Sequence, residues 1–287
     1  MTAKPTLPFL ETMITQACNL NCVGCTNYSD LVHRGYESWE AGKHQLLSWL
    51  TRIEIPDFGI MGGEPLMNPE VRQWLQGTRD IMPHSQIRFT TNGILLDKHF
   101  DIIDVLADIG NCVFKITVHE NDARLENTIA TIFKRYNWTP ITEYGIDRYV
   151  SDNGFRFHVK RPTTFYKTFK GTYENMMPHD NLPKEAFASC IQQQCPLLYK
   201  GKIYKCSSNG LLADTLLKFN NPNYIHWEKY ITDGIGVDTP DIDLLSFINN
   251  FGKPNSMCGM CPTNKNIEST ILHLDNVSRK KYISPNI

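Results

Sequence analysis

Two periods of hydrophobic spacing alternate along the first 161 residues. Leu10 to Gln16 and Phe58 to Met61 are short runs with strand character. Trp39 to Arg52, behind Ser38 as N-cap, repeats apolar residues at helical spacing through Leu46, Leu47 and Leu50. Pro69 opens a second helical stretch that reaches Met82, with Val71, Trp74 and Leu75 on one face. Gln86–Thr91 predicts a strand and Asp97–Ile109 a helix; Cys112–Val118 predicts a strand and Asp122–Tyr136 a helix. Two more strands are predicted at Ile141–Tyr144 and Phe155–Val159, and residues 31–37 as a loop. Strands alternating with amphipathic helices imply βα units and a mostly parallel sheet. About six units in this length are too few for an eight-stranded barrel of ~250 residues. The expected fold is therefore α/β, a partial, open (β/α)6 barrel. Residues 162–189, rich in Thr, Tyr, Lys, Pro and Met, lack a period and read as a linker with substrate-facing loops.

Composition narrows the function classes. The chain has 287 residues, 41% of them apolar and 21% charged, with a net charge of −1. That balance gives no electrostatic reason to expect a nucleic-acid or membrane partner. No apolar run is long enough to span a bilayer, and MTAKPTLPFLET lacks the apolar core of a signal peptide. Nine cysteines in such a chain imply reduced thiols and metal ligands, and a cytoplasmic location. They are unevenly spread: three at 18–25, Cys112 alone, and five between 190 and 261. Cys112, in the apolar run NCVFKITV, reads as a small buried hydrophobe. The other two groups predict two metal centres.

Cys18, Cys22 and Cys25 follow the first predicted strand at C-x3-C-x2-C spacing. Three thiolates are one short of the four that commonly hold a 4Fe–4S cluster, which leaves one iron open to a second molecule. Gly62-Gly63-Glu64-Pro65 ends the second strand, Thr90-Thr91-Asn92-Gly93 the third, and Thr117 and His119 the fourth. Parallel βα folds place their sites at these strand ends. The combination resembles the radical S-adenosylmethionine (SAM) superfamily, whose core is a partial (β/α)6 barrel. The resemblance implies that Cys18, Cys22 and Cys25 bind the cluster and that its open iron chelates SAM. It implies a SAM site at Gly62, Gly63, Glu64, Thr91, Asn92, Thr117 and His119, with Glu64 accepting a hydrogen bond from the SAM ammonium. The residue before the third cysteine is usually aromatic in that family and touches adenine; here it is Gly24. Adenine is then held by backbone or another side chain, with Tyr28 as a candidate.

The second cysteine group begins with a predicted hairpin turning at Lys200-Gly201. Counting outward pairs Tyr199 with Lys202, Leu198 with Ile203, and places Cys195 opposite Cys206, close enough for two ligands of one cluster. Cys258 and Cys261 form a later C-x2-C knuckle. This arrangement resembles the C-terminal auxiliary-cluster domains of radical SAM enzymes, the SPASM type and its shortened, one-cluster Twitch form. The expected auxiliary 4Fe–4S ligands are Cys195, Cys206, Cys258 and Cys261. Cys190 is either an alternative to Cys195, since the family's spacing also fits position 190, or a free thiol available as a hydrogen donor. Four thiolates suit zinc as well. The expected domains are a radical SAM barrel at 1–161, the linker at 162–189 and an auxiliary domain at 190–287.

The resemblance implies an enzyme that reductively cleaves SAM and abstracts hydrogen from a peptide or small-molecule substrate, fed by a reductant such as flavodoxin or ferredoxin. Only 17 residues precede Cys18, so no N-terminal leader-peptide-binding domain is expected. The competing class is a non-enzymatic iron–sulfur or zinc protein for binding or electron transfer.

Overall fold

The computed structural model describes residues 3–263 except 23, 30–34, 120–121, 142–146, 153 and 163, together with 271–273 and 278–279. In chain order the first half contains β1 (Leu10–Met13), β2 (Leu20–Asn21), α1 (Trp39–Leu50), β3 (Asp57–Met61), α2 (Val71–Ile81), β4 (Gln86–Thr91), α3 (Asp101–Ile109), β5 (Cys112–Thr117) and α4 (Ala123–Arg135). Then come β6 (Trp138–Pro140), β7 (Asp147–Ser151), β8 (Arg156–Lys160), β9 (Thr164–Tyr166), α5 (Pro183–Ala188), β10 (Leu197–Tyr199) and β11 (Lys202–Tyr204). The expected strand at Ile141–Tyr144 falls mostly outside the described residues, as does most of the 31–37 loop.

Local chemistry explains the helices. Ser38 Oγ accepts from the Ala41 amide and caps α1, which buries Leu46 and Trp49 but leaves Leu47 exposed. Asp122 caps α4 by accepting from the Arg124 amide at 2.8 Å. Val71, Trp74 and Leu75 form the buried face of α2, as their spacing predicts.

Among the described residues the main sheet has nine strands in the order β11-β10-β1-β3-β4-β5-β8-β7-β6. β10, β1, β3, β4, β5 and β8 run parallel, with antiparallel β11 at one edge and β7 and β6 at the other. This is a mixed α/β fold with a parallel-dominated sheet, consistent with a partial radical SAM barrel. One parallel strand, β10, is supplied from beyond the expected barrel boundary and pairs with β1, with Glu11 opposite Leu197. The hairpin register is as predicted, and Lys200 and Gly201 both have positive φ (50° and 78°), the twist a two-residue hairpin loop requires.

The sheet divides its side chains by parity. Leu10, Phe58, Ile60, Phe89, Phe114 and Phe157 point outward into the main core under α1–α4. Phe89, Phe114 and Phe157 are register neighbours and stack at 6.2 and 5.5 Å between ring centroids. The opposite face carries Glu11, Arg88, Lys115, Arg156 and His158, all lining one cavity. β1 and β8 are four strands apart in the sheet order, so the sheet curls to bring them onto one cavity.

The 162–189 stretch is folded against its surroundings. Phe169 and Met176 are buried in a second core with Met13, Tyr28, Leu197 and Trp227. Trp227 Nε1 donates to the Met176 carbonyl at 3.0 Å. Among the described residues no helix is long and apolar enough to cross a membrane.

Candidate active site

The end of β3 packs directly on the chain that leads into the first cysteine loop. The Gly63 amide donates to the Thr15 carbonyl and the Glu64 amide to the Ala17 carbonyl, both at 2.8 Å. A Cβ on Gly62 would lie 2.6 Å from the Thr15 oxygen, and one on Gly63 only 2.4 Å from the Ala17 oxygen. Backbone-to-backbone approach therefore requires the two glycines. Thr15 Oγ1 accepts from the Ala17 amide at 3.1 Å and donates to the Gly35 carbonyl at 2.8 Å, which turns the chain toward Cys18. Two tight turns follow, with the Cys25 amide donating to the Cys22 carbonyl and the Tyr28 amide to the Cys25 carbonyl.

Cys18, Cys22 and Cys25 line one cavity of about 450 Å³, shared with Gly62 and Gly63 and with Thr91, Asn92, Thr117 and His119. The structure thus brings together every residue expected at the SAM site except Glu64, which does not line the cavity. Glu64 is fully buried, and its oxygens are already engaged. Oε1 accepts from Thr91 Oγ1 at 2.6 Å and the Leu66 amide at 3.1 Å, and Oε2 accepts from the Asn92 amide at 2.8 Å. Burial pushes its carboxyl up to about 7, against the pull of those three donors. In this geometry Glu64 positions Thr91 and Asn92.

Asn92 passes that order on to the cysteine loop. Its Nδ2 donates to Asn19 Oδ1 at 2.7 Å, and its Oδ1 accepts from the Ile94 amide at 3.0 Å. The Leu20 amide points at Cys18 Sγ, 3.4 Å away. His119 Nδ1 lies 4.0 Å from Cys22 Sγ. Burial first, and then Lys160, hold His119 down to about 4, so its imidazole is neutral at pH 7. Tyr28 does not serve this cavity. It is 1% exposed, donates from Oη to the Ser208 carbonyl, and packs near Phe169 and Tyr173 in the second core. The adenine role considered for it is thereby removed.

Sequence reading missed Asn19 and Asn27. Asn27 lines the cavity, and its Oδ1 is buried with no hydrogen-bond partner among the described residues. An orphaned acceptor beside three thiols and a glycine-walled cleft fits a polar ligand such as SAM bound against a cluster. The only available signal was local, an Asn two residues past the third cysteine.

The second cysteine group separates. Cys190, Cys206, Cys258 and Cys261 line one small cavity, with Phe187, Met257 and Met260 around them. α5 packs on Ser256–Met260, and the His179 and Asn181 amides donate to the Met260 and Gly259 carbonyls, which draws Cys190 to the knuckle. Burial pushes Cys206 up to about 12 and holds Cys261 well above the usual thiol range, the neighbouring thiols adding to the effect. Binding a metal at such buried thiols would require them to release their protons. Cys195 lines a different cavity, the inner one with Glu11 and Lys115, while staying near enough to Cys206 and Cys190 to feel their charges. Cys112 is 1% exposed in the main core, as expected. Among the described residues no three His, Cys, Asp or Glu side chains converge tightly enough to chelate a single ion.

Residues 12–144 match the model of the Radical SAM superfamily. This chain carries a radical SAM domain. The matched segment holds the Cys18–Cys25 loop and the ends of β3, β4 and β5. The chain is similar to GTP 3′,8-cyclase of Chlorobaculum tepidum, 26% identical over 34% of this chain and 29% of that protein. It thus spans under a third of the length of that curated relative. Among solved structures, SuiB of Streptococcus suis bound to S-adenosylmethionine aligns with a TM-score of 0.35 at 19% identity, over 42% of this chain and 27% of that one. BtrN in complex with AdoMet and 2-DOIA aligns with a TM-score of 0.49 at 15% identity, over 91% and 95%.

Proposed function

We propose that the chain is a radical SAM enzyme acting on a peptide or small molecule, with a second, auxiliary cluster. One observation carries this reading: three thiols at C-x3-C-x2-C spacing share a cavity with the glycine-walled end of β3 and with Asn92. Cys18, Cys22 and Cys25 would hold a 4Fe–4S cluster. With SAM, such a cluster supplies reductive S–C cleavage and a 5′-deoxyadenosyl radical that abstracts hydrogen.

The chain's own residues bind and orient. Asn27 Oδ1 and the Gly62–Gly63 backbone offer polar contacts to SAM, and Thr91 and Asn92 are held in place by Glu64. Neutral His119 and Thr117 close the side next to Cys22. Cys190, Cys206, Cys258 and Cys261 are the proposed auxiliary ligands, supported by their common cavity, so Cys195 is the spare thiol. A low-potential flavodoxin or ferredoxin is the proposed electron source.

The test is anaerobic 5′-deoxyadenosine formation with dithionite. The wild-type protein is expected to form it, and the Cys18→Ala/Cys22→Ala/Cys25→Ala variant to form none. Equal formation by both would refute the reading.

A further inference from the structure

The inner face of the curled sheet is built in layers set by register. Glu11, Gly59, Arg88, Val113 and Arg156 form one row across β1, β3, β4, β5 and β8. The next row toward the strand C-termini carries Thr90, Lys115, His158 and, on β7, Arg148. The row after that carries Thr117, which already faces the SAM cavity. The first two rows line a cavity of about 690 Å³. Met61 and Thr90 line both this cavity and the one holding Cys18, Cys22 and Cys25, so the two adjoin.

The interior of a closed βα barrel is filled by branched apolar side chains. Among the described residues that line this cavity, Arg88, Lys115, Arg148 and Arg156 are basic and Glu11 alone carries a carboxyl. Arg88 is neutralised by Asp57, with Nε donating to Oδ1 at 2.7 Å. Lys115 and Arg156 have no carboxylate at ion-pair distance among the described residues. An internal Glu11–Lys115 pair would be the bland explanation, but the two are not in contact, and Glu11 Oε1 is buried without a hydrogen-bond partner. The positive potential is felt by His158, which burial, then Arg148, Lys115, Arg88 and Arg156 hold down to about 4. A cavity that carries Lys115 and Arg156 on its wall beside one buried, orphaned acceptor offers complementary contacts to a ligand of matching chemistry.

We infer that this inner cavity is the substrate pocket. It takes a small molecule or chain end bearing an anionic group, carboxylate or phosphate, held by Lys115 and Arg156, with a neighbouring hydroxyl or amine that donates to Glu11. This deepens the radical SAM reading and rests on it, because the adjoining SAM cavity is what makes the pocket a reaction site. Charge-assisted hydrogen bonds to the anion supply the affinity, and Glu11 sets which end of the substrate lies toward β1.

The test is calorimetric titration of the anaerobically reconstituted protein at low salt, with ribose 5-phosphate, gluconate and neutral ribose as probes. At least one anion is expected to bind saturably and ribose at least tenfold more weakly. Preference for ribose 5-phosphate assigns a phosphate, and preference for gluconate a carboxylate. Lys115→Met and Arg156→Met should each weaken the preferred anion about tenfold or more, while Lys115→Arg stays within about threefold and reports that the fold is intact. Absence of saturable anion binding, or unchanged binding in both methionine variants, overturns the inference. SAM cleavage by the wild-type protein is read separately. Its absence with anion binding intact sinks the radical SAM reading and leaves the anion site standing.

Discussion

Changing Glu64 to glutamine keeps the side chain's shape and removes its charge. In the native chain Oε1 accepts from Thr91 and Leu66, and Oε2 from Asn92. Glutamine has one acceptor oxygen, which can keep the Thr91 and Leu66 bonds. Its amide nitrogen then meets the Asn92 N–H donor to donor, and one buried donor is left unsatisfied at a cost of about 1–3 kcal/mol. The pH dependence sets the sign of the net effect. Burial raises the Glu64 carboxyl from 4.5 to about 7 in the folded chain. Between those values the native chain keeps a proton that the unfolded chain has released, so native stability falls as pH rises through that window. The full loss, about 3 kcal/mol, is reached above pH 7. Glu64→Gln carries no such titration. The stability of the variant relative to wild type should therefore rise by about 2–3 kcal/mol between pH 5 and pH 8. Urea unfolding followed by tryptophan fluorescence at the two pH values measures this, since every other titrating group is common to both proteins. A gap of the same size at pH 5 and pH 8 would refute the reasoning. It would mean that the three donors keep Glu64 ionised throughout.

Two further outcomes bear on the thiols and on the glycine-walled cleft. Cys195→Ala should keep about eight irons per chain, whereas Cys190→Ala should fall to about four, one 4Fe–4S cluster having been lost; iron and sulfide analysis after anaerobic reconstitution decides it, and the reverse pattern restores Cys195 as ligand. Gly63→Ala drives a Cβ to 2.4 Å from the Ala17 carbonyl oxygen, so the backbone must move, at about 1–3 kcal/mol or more. Its melting temperature should drop and iron at the Cys18–Cys25 loop should decline; an unchanged melt with full iron would show that the close approach is dispensable.

Features that depend on near neighbours in sequence were legible without coordinates. The βα alternation follows from hydrophobic periods of two and 3.6 residues, and the Cys18–Cys25 triplet is a local loop. The hairpin register at Lys200-Gly201 follows from its two-residue turn. Even the charged inner face was written in the alternation of Arg88 and Thr90, of Lys115 and Thr117, and of Arg156, His158 and Lys160. Its meaning was not, because parity says which residues share a face, and only the curl of the sheet makes that face a cavity. Tertiary structure alone decided the rest. Glu64 is consumed by Thr91 and Asn92 because β3 and β4 are parallel neighbours, a pairing between residues 27 and 28 positions apart. Cys190 and Cys195 are five residues apart and serve different cavities. Cys195 enters β10, which pairs with β1 and sets Pro196 against Glu11, whereas Cys190 follows α5, which packs on the knuckle some 70 residues later. Spacing counts residues along the chain, but which cysteines share a cavity is decided by which buried surfaces meet, and that is fixed by packing between segments far apart in sequence.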